Sequence, residues 1–273
     1  MDILHTVADL RHRLSRETTV ALVPTKGHLH DSHIDLIRIA RPHAACLVTS
    51  IFVNRLQFGP QEDFTRYPRT LAADCARLAQ AGCNVVFAPH EEEVYPEPQQ
   101  VSVEPSDLQH ELEGAFRPGH FRGVATVVLK LFNMVQPQLA IFGKKDYQQF
   151  LILREMVRQL ALPVTIIPAN TVRAPDGLAL SSRNSYLSAA ERQQAPQLYR
   201  ALVRIAALIE QGCNPTEAVA QNPLDPTQWR PDYITVRRSQ DLRLPTEHDR
   251  HLVVLAAAHL GSTRLIDNLE VMR

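Results

Sequence analysis

The chain has 273 residues, with 29 basic and 29 acidic side chains, 45% hydrophobic and 21% charged residues. That composition is globular rather than disordered, and a net charge of zero argues against a nucleic-acid or polybasic membrane binder. No run of roughly 18 apolar residues offers a spanning helix, and the amphipathic N-terminus lacks the unbroken apolar stretch of a secretory signal.

Apolar runs of strand length alternate with segments of helical period. Thr19–Val23 reads as a strand, Asp31–Arg41 as a helix, Ala45–Val53 as a second strand and Arg69–Ala81 as a helix with Leu71, Cys75 and Leu78 on one face. Asn84–Ala88 is a third strand and Val124–Val135 an apolar helix. Leu139–Phe142 is a fourth strand. Asp146–Leu160 is a helix with Phe150, Leu153, Val157 and Leu160 inward, and Val164–Ile167 is a fifth strand. Strands apolar on both faces, alternating with helices, predict an α/β fold: a Rossmann-like parallel sheet with helices on both faces. Near Thr171 the pattern changes. A turn-rich connection leads to one long helix, Ala189–Gln211, and then to short strands at Tyr233–Val236, Leu252–Ala258 and Thr263–Asp267. Residues 1–171 and 172–273 are therefore expected as a nucleotide-binding domain and a smaller α+β domain. Cys46, Cys75, Cys83 and Cys213 have no CxxC spacing and read as reduced thiols, which suggests a cytoplasmic protein.

Five segments could carry chemistry. The first runs from Val23 to His33, off a strand end into the first turn of a helix, where free backbone N–H groups and the helix dipole favour an anion. His30 and His33 share one helical face. They can donate to a polyphosphate, form a plain histidine cluster, or join His28 as metal ligands, although the spacing fixes no carboxylate or cysteine partner. In the second, Asn54 and Gln57 follow a strand end, where amides hold small polar ligands or cap the loop. The third, Glu113–Gly123, holds three of the chain's ten glycines together with Arg117, His120 and Arg122. Such a loop suits phosphate or carboxylate, or is purely structural. In the fourth, Gly143 permits close backbone approach, Lys144 or Lys145 can neutralise phosphate, and Asp146 can hold a ribose hydroxyl or cap a helix. The fifth, Ser181-Ser182-Arg183-Asn184, places two hydroxyls and a guanidinium on the connection to the second domain.

These segments, in this order, resemble the pantothenate synthetase (pantoate–β-alanine ligase) family. The matching blocks are VPTKGHLHDSH from Val23, SIFVNRLQF from Ser50, EGAFRPGHFRGV from Glu113, FGKKDYQQ from Phe142 and DGLALSSRN from Asp176. Glu62-Asp63, Tyr67 to Leu71 and Arg264 to Asn268 match as well, so the resemblance covers nearly the whole chain. It implies a nucleotidyltransferase domain of the HxGH type, a C-terminal lid domain and a homodimer. It further implies that pantoate attacks the α-phosphorus of ATP to give pantoyl adenylate and pyrophosphate, and that β-alanine then displaces AMP. The implied catalytic residues are His30, His33, Lys145 and Arg183. The implied ATP contacts add Pro24, Thr25, Lys26, Gly143, Asp146, Val172, Ser181 and Ser182. Pantoate would meet Asn54, Gln57, Arg117 and Gln149, and Mg²⁺ would accompany the phosphates with Asp74 as its candidate ligand.

The chain departs from the family pattern at five of these positions. Lys26 stands for methionine, His28 for alanine or asparagine, Ser32 for the HxGH glycine, Arg55 for proline and Lys144 for glutamate. A serine at 32 is expected to crowd the adenine and weaken ATP binding, and Lys26 and Arg55 to add positive charge near the pantoate carboxylate. These departures leave open a paralogue using another short hydroxy acid or amine, or an ATP-binding protein with weakened catalysis. The clustering of glycine in these blocks predicts that backbone freedom is kept where a nucleotide approaches.

Overall fold

The structure, a computed structural model, describes residues 1–60, 62 and 64–273. Gln61 lies outside the described residues, as does Asp63 of the Glu62-Asp63 match. The chain resolves into two compact units, one of residues 1–144 with 152–170 and one of residues 145–151 with 171–273.

The first unit contains β1 (Asp2–Leu4), α1 (Val7–Leu14), β2 (Val20–Thr25), α2 (Asp31–Ala40), β3 (Cys46–Ile51), α3 (Leu71–Gln80), β4 (Val85–Phe87) and the single turns α4 (Glu91–Val94) and α5 (Glu113–Phe116). It continues with α6 (His120–Val135), β5 (Leu139–Gly143), α7 (Tyr147–Gln159) and β6 (Thr165–Ala169), with α7 through Leu151 belonging to the second unit. The six strands pair in the order β1-β4-β3-β2-β5-β6, all parallel. β2 and β3 are buried almost throughout, as a sheet covered on both faces requires. From β2 the chain winds outward through β3 and β4, then returns to the other side for β5 and β6. The topological switch point therefore lies between β2 and β5, where open α/β sheets bind ligands at the strand C-termini. The β2–β5 ladder ends at Leu22↔Ala140, whereas β2–β3 pairing continues to Thr25↔Ile51. Pro24 has no N–H to give a ladder, and it stands where β2 parts from β5.

α6 begins at His120, before the expected Val124, because Gly119 at φ +79° turns the chain into it. At the other end of α7, Leu160 lies past the last helical residue and is half exposed, against the expectation that it points inward. β1 pairs parallel with β4 as an edge strand that no apolar run announces.

The second unit holds α8 (Ala189–Gln194), α9 (Gln197–Glu210), α10 (Pro215–Ala220) and an antiparallel sheet of β7 (Trp229–Arg238), β8 (His251–Leu260) and β9 (Thr263–Met272) in sequence order. The single helix expected over 189–211 is interrupted before Pro196, which cannot supply the N–H that a continuous helix needs. α9 buries Leu198, Leu202, Ile205 and Ile209 in a core shared with Trp229, Val254 and Leu265. Pro231 is tolerated because β7 is an edge strand with a bulge between Pro231 and Tyr233. Among the described residues, no helix is long and apolar enough to cross a membrane, and the four cysteines are free thiols.

Candidate active site

The loop from β2 to α2 is built from the sheet side. Thr25 donates its hydroxyl to the Ser50 carbonyl at 2.8 Å, tying the ends of β2 and β3 together. Gly27 takes φ +84°, a turn that favours glycine, and a Cβ there would fit tightly at 3.2 Å from both the Asp74 carboxylate and Ile51. Asp74, on α3 and only 2% exposed, holds the loop. Its Oδ2 accepts from His28 N at 2.9 Å and from the Thr70 hydroxyl at 3.1 Å, and its Oδ1 accepts from Leu29 N at 2.8 Å. The residue expected beside the metal thus anchors the loop. Among the described residues, no group of three His, Cys, Asp or Glu side chains could hold a metal ion.

His30 is the N-cap of α2 and His33 lies in its first turn, with ring centroids 4.1 Å apart and tilted by 49°. The backbone N–H of His30 donates to His33 Nδ1 at 3.2 Å. A neutral His33 therefore carries its proton on Nε2. Two imidazoles thus sit at the positive end of α2, on the loop that leaves the switch-point strand.

The second cluster follows β3. Asn54 is 1% exposed and fully engaged. Its Nδ2 donates to the Gly123 carbonyl at 3.0 Å and to Gln57 Oε1 at 3.3 Å, while its Oδ1 accepts from the Tyr95 hydroxyl at 2.8 Å. Arg117 pairs with Glu62 through two bonds of 2.7 Å, donates to His120 Nε2 at 3.0 Å and reaches the Gln57 carbonyl at 3.4 Å. His120 Nδ1 donates to that same carbonyl at 2.8 Å. Burial, and then the Arg117 charge, push the His120 imidazole down to about 3, so it stays neutral. Asn54 and Arg117, both expected to meet pantoate, shape the turn that carries Gln57. The Gly-rich segment has packing reasons as well: a Cβ on Gly123 would stand 2.2 Å from the Leu56 carbonyl. Sequence reasoning missed Glu62 and Tyr95 as partners, because no local spacing points to them.

Among the departures, Lys26 places its ammonium 5.8 Å from the Tyr67 ring centroid, and its charge contributes to the low His120 value. Arg55 does not add free charge near a carboxylate. It is exposed, paired with both oxygens of Glu91 at 2.9 and 3.0 Å, and stacked 4.7 Å from the Phe64 ring centre. Arg55→Ala is expected to change stability little, as for an exposed ion pair, and to leave the acid substrate's KM within about twofold, since the guanidinium pairs with Glu91. Unfolding titrations and steady-state kinetics check both.

Gly143 ends β5 beside the switch point, followed by Lys144. Its φ is not positive and no atom lies within 4 Å of where a Cβ would stand, so neither backbone nor packing demands glycine there. The other expected residues belong to the second unit. Lys145 and Asp146 form a short 3₁₀ turn with Lys144 ahead of α7, and Gln149 is half-buried on α7. The Lys145 carbonyl accepts from Asn268 Nδ2 at 2.9 Å, and the Tyr147 hydroxyl donates to Glu270 at 2.8 Å, so β9 holds this segment. Val172 accepts from Leu180 N at 3.0 Å across a turn closed by Gly177. Arg173 braces that turn by gripping Asp267 at 2.6 and 2.9 Å and the Asn268 carbonyl at 3.1 Å. Ser181 accepts from Arg183 N at 3.2 Å, and the 3₁₀ turn Ser182–Tyr186 packs against β9. Within this unit, Lys145 and the Ser182-Arg183 pair are both seated on β9.

The family model described as Pantoate-beta-alanine ligase matches residues 2–270. A pantothenate synthetase of Thiobacillus denitrificans is 57% identical over 99% of this chain and 97% of its own length. One from Nitrosospira multiformis is 53% identical over 99% and 98%. The crystal structure of a Thermus thermophilus pantothenate synthetase superposes with a TM-score of 0.95 at 46% identity over 100% of both chains. The pantoate-beta-alanine ligase of Francisella tularensis, complexed with beta-gamma ATP and beta-alanine, superposes with a TM-score of 0.84 at 32% identity, over 98% of this chain and 97% of that one.

Proposed function

The chain belongs to the pantoate–β-alanine ligase family, and is thus an AMP-forming ligase joining pantoate to β-alanine with ATP; we propose how its residues divide that work. A carboxylate is a poor acyl donor at neutral pH, so the acid is first adenylated. The pantoate carboxylate attacks the α-phosphorus in line and pyrophosphate leaves. The amine of β-alanine then attacks the acyl carbon, the amide C–N bond forms and AMP departs.

The observation that carries this reading is the His30–His33 pair at the N-terminus of α2, directly after the switch-point strand. Donors fixed there are aimed at charge that builds as pyrophosphate leaves. In this proposal His30 and His33 donate to ATP phosphates, with the backbone of Pro24, Thr25 and Lys26 alongside. Lys145 and Arg183 neutralise phosphate oxygens, with Ser181 and Ser182 as hydroxyl donors. Gly143, Asp146 and Val172 hold the nucleoside. Gln57 and Gln149 bind pantoate, while Asn54 and Arg117 act through the Gln57 turn. Magnesium would arrive on the phosphates themselves, which suits an ion that keeps its waters and needs few protein ligands. The family resemblance supports a homodimer, and the free thiols support a cytoplasmic setting.

Pyrophosphate release separates the steps. With ATP and pantoate alone, pyrophosphate is expected, and adding β-alanine should yield AMP and the amide. Release with another short hydroxy acid but none with pantoate would overturn the substrate assignment.

A further inference from the structure

Ser32 stands where the family resemblance implies a glycine, and its hydroxyl lies 2.8 Å from His30 Nδ1. We propose that Ser32 is a positioning residue that fixes the His30 ring with its proton on Nε2. The proposal rests on the reading of His30 as a phosphate contact.

The direction of the bond follows from where the ring sits. His30 is the N-cap of α2, and the His33 backbone N–H donates to the His30 carbonyl at 2.9 Å. First-turn N–H groups point toward an N-cap side chain, and an acceptor is favoured there. The serine hydroxyl rotates freely and can donate, so it completes Nδ1 as an acceptor. A neutral ring with Nδ1 accepting carries its proton on Nε2. His33 reaches the same state by another route, accepting at Nδ1 from the His30 backbone at 3.2 Å. Both rings then offer Nε2–H as the donor to an anion. A glycine at 32 has no hydroxyl and cannot set His30 this way. The serine side chain, expected to crowd the adenine, also places a hydroxyl against the neighbouring imidazole.

The test uses the full chain with ¹⁵N-labelled histidine, in the wild type and in Ser32→Ala, Ser32→Gly and Ser32→Thr. Imidazole ¹⁵N shifts report which ring nitrogen is protonated, and pyrophosphate release with pantoate is followed across pH. The wild type and Ser32→Thr should show His30 protonated on Nε2. Ser32→Ala and Ser32→Gly should show mixed tautomers and a kcat for pyrophosphate release lower by about tenfold, the scale for losing an orienting partner of a functional imidazole. KM for ATP should move less than twofold, and the kcat–pH profile should shift in these two variants alone. An unchanged His30 tautomer in Ser32→Ala overturns the proposal, as does a rise in activity in Ser32→Gly. A changed tautomer with unchanged kcat upholds the grip of Ser32 on the ring and overturns instead the role of His30 at the phosphates.

Discussion

Asp74→Ala is expected to lower the unfolding free energy by about 3–5 kcal/mol, because each buried donor left unpaired costs about 1–3 kcal/mol and three lose their acceptor together. The donors are His28 N, Leu29 N and the Thr70 hydroxyl, and all converge on one carboxylate that solvent barely reaches. On a chain of this size the melting temperature should fall by roughly 10 °C. The loss should reach function as well, since the freed loop leads directly into His30. Adenylation should slow by at least about tenfold, the scale on which displaced catalytic groups act. Asp74→Asn keeps one acceptor oxygen and should lose less on both measures. Melting curves without magnesium, and pyrophosphate release over a magnesium titration, distinguish a loop anchor from a metal ligand. A ligand would leave the magnesium-free melt unchanged and show rescue at high magnesium. An anchor shows a lower melt and no rescue.

His120 should make the protein acid-sensitive, by about 2 kcal/mol at pH 5 relative to pH 8. Its imidazole is pushed from 6.5 to about 3 in the folded chain, by burial first and then by Arg117. Between those two values the unfolded chain binds the proton and the folded chain does not, so stability rises with pH across that window. The contribution is complete above the unfolded value and is lost as pH falls toward about 3. Protonation would also take from Arg117 its acceptor at Nε2. His120→Gln should be less stable at pH 8, where the Gln57 carbonyl loses its donor, yet flatter between pH 8 and pH 5. Urea unfolding of both proteins across that range gives the slopes. Parallel slopes would show that the acid sensitivity comes from other groups.

The central strands were readable because a strand buried on both faces has to be apolar nearly throughout, and β2, β3 and β5 are. β1 escaped because three residues, half exposed, make no periodicity. The helix break before Pro196 was written in the sequence but masked by the apolar stripe running past it. At the site, local spacing marks segments but does not reach the distant partners that hold their side chains. His30 and His33 are three residues apart, and their shared face is a property of one helix turn. Asp74, Arg117 and Asn54 find their partners 45, 55 and 69 residues away, and no spacing rule reaches that far. Glycine divides in the same way. Gly123 is fixed by the Leu56 carbonyl and Gly27 by its turn, so their placement follows from chain packing. At Gly143 the fold itself makes no such demand.

Lys145–Leu151 is grouped with the C-terminal unit although residues 152–170 of the first unit follow it in sequence. Its ties to Asn268 and Glu270 mean that the last strand of the chain secures a segment from its middle. The C-terminal unit therefore cannot be exchanged between relatives as a cassette cut at residue 171. A chimera joined there would inherit Lys145, Asp146 and Gln149 from one parent and the strand that seats them from the other. Recombination within this family should succeed only where both pieces come from the same ancestor or where β9 and the turn before α7 have changed together.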